Sequence, residues 1–356
     1  MSDTTRPPRW RPLAILLGVV LAVTALKVGR PVLAPLAAGI FLAMLAHPLR
    51  VRLARVVPDW LALTLTGLAL LAGVAAFLAA LGWSVAAVAE ELADRREALS
   101  AAAERARGWA SARGIPVPAG SSASEGGGAP NGLAGAVTRA LGLLGSALGE
   151  LLLALAVAVL GLAEERELRR RIRRAVGGRG ADETLAVVDE SAAAFRRYVW
   201  VKTLTSAITG TASALLALAF GLPLAWVWGF LAFLLEYVPS VGSLLAVVPP
   251  TLMALAESAA GDGGGLGRAA GVLAAFAAMQ IVLGNVVDPK LEGRLMRLSP
   301  LGVLLAIVFW GWLWGALGAL LAVPLTVALA IASRHVPGWR GVATVLAGDG
   351  VDEERK

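Results

Sequence analysis

The sequence predicts an all-α integral membrane protein: about eight transmembrane helices with broken or hairpin segments, and an extracytoplasmic helical insertion. Composition is the first reason. Of 356 residues, 58% are hydrophobic and 16% charged, with a mean hydropathy of +0.74. Soluble domains average about 25% charged and about 45–50% apolar residues. Spacing is the second: the apolar residues fall in runs near the ~20 that a helix needs to cross a bilayer core of about 30 Å. The third is that arginine clusters separate the runs, as they do at cytoplasmic flanks. The net charge of +7 is therefore read as topology, and nucleic acid is not a predicted partner.

Residues 1–89 hold the N-terminal transmembrane helices. Arg6, Arg9 and Arg11 precede the apolar run Leu13 to Leu26. No small-residue cleavage site ends that run cleanly, so it is read as a retained span. Lys27, Gly29, Arg30 and Pro31 break the chain before Val32 to Ala46, a spacing that allows a helical hairpin, and Arg50, Arg52 and Arg55 follow. Trp60 to Ala89 is longer than one bilayer thickness. Residues 90–148 turn mixed-charge and Ala-rich, with a Gly/Pro/Ser-rich loop at 114–132, and parity makes them extracytoplasmic. Residues 149–180 carry a span ending at Leu162 and the densest basic cluster, from Arg166 to Arg174. That cluster is the firmest inside marker, placed where it meets anionic headgroups.

Residues 181–200 read as an amphipathic interfacial helix, with Leu185, Val188, Ala192, Phe195 and Val199 on one face. Residues 201–335 form the C-terminal transmembrane core, and 336–356 a cytoplasmic tail, so both termini are expected inside. Thr203, Thr205, Ser206, Thr209, Thr211 and Ser213 crowd hydroxyls onto one span. Such groups mark helix–helix contact or, less often, a polar pathway. Two later elements are interrupted. Glu236, Tyr237, Pro239, Ser240, Gly242 and Ser243 lie between apolar halves 224–235 and 244–256. The apolar run from Leu301 contains Gly311, Gly315, Gly318 and Pro324, which favour a bent or hairpinned path. Interrupted backbone is tolerated at membrane depth only where protein or a water-filled cavity re-satisfies it.

There is no Cys, the two His (His47 and His335) are far apart, and no nucleophile elbow, Walker A or HExxH occurs. No catalytic residue, metal site or cofactor is predicted, and the chain is read as a non-enzyme. The candidates are polar groups at membrane depth. Glu236 either faces a solute or proton route or pairs with Arg294 at the inner interface. Gln280 and Asn285 on the next span are interhelical glue or substrate contacts. Asp288, Lys290, Glu292 and Arg294 pair locally at the inner interface or act in gating. Trp310, Trp312 and Trp314 read as an interfacial belt or as packing.

Y-V-W-V-K-T-L-T-S-A-I-T-G at 198–210, E-Y-V-P-S-V-G-S-L-L-A-V-V-P at 236–249 and D-P-K-L-E-G-R-L-M-R-L-S-P-L-G-V-L-L-A-I at 288–307, followed by G-A-L-G-A-L-L-A-V-P at 315–324, resemble the AI-2E transporter family. These are the autoinducer-2 exporters and PerM-like permeases. The resemblance implies a multi-pass protein of the bacterial inner membrane that exports a small polar solute by alternating access. Relatives that look like sodium- or lithium-proton antiporters make protons or Na+ candidate partners. The resemblance also implies a homo-oligomer, a pentamer, with an elevator-like moving part. It draws functional interest to Pro239 to Gly242 and to the P-K-L-E-G-R segment. A Na+(Li+)/H+ antiporter titrating at Glu236 or Asp288, and a non-transporting scaffold or sensor, are the rival readings.

Overall fold

The structure is a computed structural model that describes residues 11–94, 133–238, 241–260, 265–287 and 300–335, with single positions 108, 111, 290 and 291. The expectations for the N-terminal arginines before Arg11, the 114–132 loop, Pro239, Ser240, Asp288, Glu292, Arg294 and the 336–356 tail lie outside the described residues. The regular elements among the described residues are helices: α1 Arg11–Val28, α2 Arg30–Leu53, α3 Asp59–Asp94, α4 Leu133–Val176, α5 Gly178–Ala219, α6 Ala225–Leu235, α7 Val241–Ala260, α8 Gly265–Val282 and α9 Pro300–His335. A π-helical turn, Leu283–Val287, extends α8. Among the described residues, five helices are long and apolar enough to cross a membrane, and Leu16–Val28, Ala225–Leu235 and Gly242–Ser258 are shorter apolar helices. This is an all-α integral membrane protein. The amphipathic stretch at 181–200 and the following span form one continuous helix, α5.

The chain divides into two compact units. One comprises Met1–Thr66, Glu150–Ala192 and Leu298–Lys356; the other comprises Gly67–Gly149 and Ala193–Arg297.

In the first unit, α1 and α2 do not form the hairpin that their spacing allowed. Gly29 joins them with near-helical backbone, φ −74° and ψ 0°. The Gly29 amide donates to the Ala25 carbonyl at 2.8 Å and the Leu33 amide to the Gly29 carbonyl at 2.9 Å. A reversal would need residues well outside the helical region, and the chain instead continues as one rod through the joint. Pro31 at the start of α2 fits this arrangement, since its fixed φ suits a first helical turn and its missing N–H leaves a carbonyl of α1 without an amide donor. Against the face of α2, Gly39 lets α4 approach closely: a Cβ there would stand 2.6 Å from Cβ of Val157.

The hairpin lies instead in α9. Gly315 has φ 68° and ψ −142°, a left-handed backbone that breaks the helix in two. Any other L-residue there would carry roughly 1–2 kcal/mol of strain. The halves fold back on each other. Trp310 Nε1 donates to Thr326 Oγ1 at 3.1 Å, although sixteen residues of straight helix would separate them by about 24 Å. At the bend, a Cβ on Gly318 would collide with the Trp310 carbonyl, so only glycine closes this turn. The tryptophans divide by task. Trp314 is buried against Ala34 and Leu313, and its Nε1 donates to the Leu26 carbonyl at 3.2 Å. Trp312 is exposed, with Lys27 Nζ 3.5 Å from its ring centroid.

In the second unit, α5 ends in a Schellman turn. The Leu222 amide donates to the Ala217 carbonyl and the Gly221 amide to the Leu218 carbonyl, both at 2.9 Å, with Gly221 at φ 63°. Arg268 clamps this turn through Phe220 O at 2.7 Å while pairing with Glu257 at 3.1 Å. The apolar core gathers Ala217, Trp228, Met253, Val272 and Phe276 from α5, α6, α7 and α8.

The tightness at Gly318 makes a sharp comparison. Gly318→Ala should lower the melting temperature of the purified protein, in line with the roughly 1–3 kcal/mol that overpacking costs. Gly73→Ala on α3 has open space around the new methyl, and should leave stability unchanged or raise it.

Candidate functional site

The site is built from a close helix crossing in the second unit. Gly210 of α5 and Gly229 of α6 face each other. A Cβ on Gly210 would lie 2.7 Å from the Gly229 carbonyl, and one on Gly229 would lie 2.6 Å from the Gly210 carbonyl. Small residues at such a contact let two backbones touch. From this point Lys202 lies eight residues back along α5 and Glu236 seven residues on, at the end of α6. Those offsets are about 12 Å and about 10 Å along the axes, so the crossing brings the two side chains to one level.

They meet there. Lys202 Nζ donates to Glu236 Oε1 at 3.2 Å, with the residues 2% and 5% exposed. One residue further along each element, Thr203 and Tyr237 share a hydrogen bond between hydroxyls at 2.7 Å. The Tyr237 ring packs edge-on against Phe233, centroids 5.6 Å apart. Glu236 thus pairs with Lys202 of α5, and Arg294 lies outside the described residues.

The break then runs from Glu236 into α7. The Gly242 amide donates to the Val238 carbonyl at 2.9 Å, and a Cβ on Gly242 would overlap the Leu235 carbonyl. α7 therefore starts against the end of α6. Gln280 of α8 reaches across, its Nε2 donating to the Ser243 carbonyl at 3.0 Å. So Glu236, Tyr237, Gly242, Ser243 and Gln280 belong to one neighbourhood. Asn285 does not join it: it is exposed and donates to the Ile281 carbonyl of its own helix at 2.8 Å. Lys290 is exposed, and Pro239, Ser240, Asp288, Glu292 and Arg294 are outside the described residues.

Leading away from the pair, Lys202, Thr205, Ser206, Thr209 and Ser213 line one face of α5, and all are buried. Thr205 Oγ1 donates back to the Lys202 carbonyl at 3.1 Å. Ser206 Oγ has no hydrogen-bond partner among the described residues, although its residue is fully buried. An unmet buried hydroxyl is costly, and it is the group that a transiently bound polar ligand would satisfy. Chemically the neighbourhood offers one carboxylate, one ammonium, paired hydroxyls and a carboxamide, which suits hydrogen bonding to a polar solute or movement of a proton. Lys202 is the residue that sequence reasoning missed. Its signal was present, since a lysine within an apolar span is a functional candidate by default.

Comparison with known proteins agrees with this architecture. A family model described as AI-2E family transporter matches residues 13–338. The Escherichia coli AI-2 transport protein TqsA is 28% identical over 337 residues, covering 94% of this chain and 95% of that one. A candidate transport protein of Haemophilus influenzae is 29% identical, covering 94% and 96%. The E. coli candidate transport protein YhhT is 35% identical over 158 residues, covering 44% of this chain and 43% of its own.

Removing one member of a buried ion pair strands the other, at a cost of about 3–5 kcal/mol, whereas replacing both with apolar groups is close to neutral. Lys202→Met should accordingly lower the thermal stability of the detergent-purified protein. Lys202→Met combined with Glu236→Leu should recover most of that loss.

Proposed function

We propose, from the premise that this chain belongs to the AI-2E transporter family, that it exports a small polar solute by alternating access around the broken segment 236–243. The observation that carries the reading is the buried Lys202–Glu236 pair at the end of an interrupted span. Two charges taken out of water contribute little to stability, and intramembrane ion pairs mark solute and ion routes. The pair links α5 to the end of α6. Opening it exposes a carboxylate, an ammonium and the hydroxyls of Thr203 and Tyr237 to a solute rich in hydroxyl or carbonyl groups. The stripe from Thr205 to Ser213 offers further contacts along α5. An autoinducer-2-like signalling molecule fits this chemistry, and the similarity to TqsA supports it as the first solute to test.

The proposal has a cellular side. The chain is read as a non-enzyme of the bacterial inner membrane, working as a homo-oligomer, with the Arg166–Arg174 cluster cytoplasmic. Because α9 doubles back at Gly315, its two ends emerge on one side, which supports a cytoplasmic C-terminus. A second reading draws on the same buried carboxylate: Glu236 exchanges a proton for Na+ or Li+, with Lys202 holding the charge between turnovers.

Proteoliposomes loaded with autoinducer-2 test both. Glu236→Gln should slow efflux about tenfold or more, equal to about 1.4 kcal/mol or more on the transport barrier. The Lys202→Met, Glu236→Leu double variant should stay stable and still fail to transport. Normal efflux from that double variant would reduce the pair to a structural role. Cation flux driven by a pH gradient, with no solute present and abolished in Glu236→Gln, would favour the antiporter.

A further inference from the structure

A second polar site lies in the other unit, where α2, the turn after it and α4 meet. A cleft of about 300 Å³ opens there, lined by His47, Arg50, Arg55, Asp59, Glu165 and Arg166, with two apolar side chains. It is small for a solute site, since ligand pockets run from about 300 to 1,000 Å³, but sufficient for one anionic headgroup fragment.

Its walls are fixed. Arg50 is buried, donates to the Leu162 carbonyl and lies 3.8 Å from Glu165. Glu165 also receives His47 Nε2 at 3.1 Å and Arg169 Nε at 3.2 Å. Arg169 is held in turn by Asp189 at 3.1 Å, and that hydrogen bond raises its pKa further, against the opposing effect of burial. Arg166 pairs with Asp59 across the cleft. The two carboxylates of the cleft are thus committed to cations. Arg55 is exposed and has no carboxylate partner among the described residues. Among the described residues that line the cleft, Arg55 is thus the arginine left without a carboxylate.

The surroundings say what fills it. Beside Arg55 and Asp59, Val56 and Trp60 are 85% and 69% exposed. The apolar lengths of α2 and α3 end and begin at this turn. Exposed tryptophan next to arginine, at the ends of apolar helices, is the signature of the headgroup level of a bilayer. We propose that this cleft is a binding site for the phosphate of an anionic phospholipid, gripped by Arg55 with Arg166 and His47 beside it, its acyl chains running past Val56 and Trp60. Basic pockets between spans on the cytoplasmic side bind such headgroups.

The full-length protein, purified in detergent, would be offered phosphatidylglycerol and phosphatidylcholine in equal amounts, and bound lipid read by native mass spectrometry. Wild type should retain phosphatidylglycerol selectively. Arg55→Gln should weaken that retention about fivefold, the worth of one arginine near an anionic surface. Arg173→Gln, an exposed arginine of the Arg166–Arg174 cluster outside the cleft, should change nothing. Asp59→Asn removes a negative charge from the wall and should increase retention, a gain that misfolding would not produce. Equal losses in Arg55→Gln and Arg173→Gln would overturn the site in favour of general surface charge. No gain in Asp59→Asn would also overturn it. Displacement of the lipid by millimolar inorganic phosphate would overturn the lipid assignment and make the ligand a soluble phosphate.

Discussion

The candidate site depends on the contact of Gly210 with Gly229. Two helices without side chains at their crossing bring their carbonyls against each other's Cα positions. That closeness sets the distance between α5 and α6 along the next two turns, and so the 3.2 Å contact between Lys202 and Glu236. Larger residues at the crossing would push the helices apart by about the thickness of a side chain. A charge pair that depends on short range, in a medium of low dielectric, would then lose both its attraction and its hydrogen bond.

The rest of that unit is arranged around holding the interruption still. The Schellman turn and its Arg268 clamp fix the C-terminal end of α5 and the start of α6. Gly242 lets α7 begin against the Leu235 carbonyl, and Gln280 ties the first turn of α7 to α8. Of these contacts, Arg268 meets the Phe220 carbonyl at the C-terminal end of α5, where helix carbonyls lack an amide donor. An apolar replacement of the buried ion pair, of similar volume, would pack at least as well, and the neighbouring hydroxyl of Ser206 has no hydrogen-bond partner among the described residues.

How much was legible varies by element, for physical reasons. The interrupted span at 236–243 and the bent run after Leu301 were visible because Pro and Gly are disfavoured in a helix interior unless the chain bends or breaks there. The choice between reversal and continuation was not visible. K-V-G-R-P and W-G-A-L-G both read as breaks. Yet Gly29 stays near-helical while Gly315 turns left-handed, since Gly318 allows the Trp310 carbonyl close and Thr326 receives the Trp310 indole. The pairing of Glu236 with Lys202 was not visible for a similar reason. Lys202 lies within an apolar stretch thirty-four residues before Glu236, and only the crossing angle and spacing of two helices bring the two together.

By itself, then, the order of residues determined the solvent this protein lives in, the breaks at 236–243 and after Leu301, and the family it resembles. All of these follow from local quantities: transfer free energy, arginine placement, and the backbone limits of Gly and Pro. What only the tertiary structure decided was which polar groups meet. Such meetings depend on where two backbones approach within contact distance, and that is a property of pairs of helices that neither one's sequence contains.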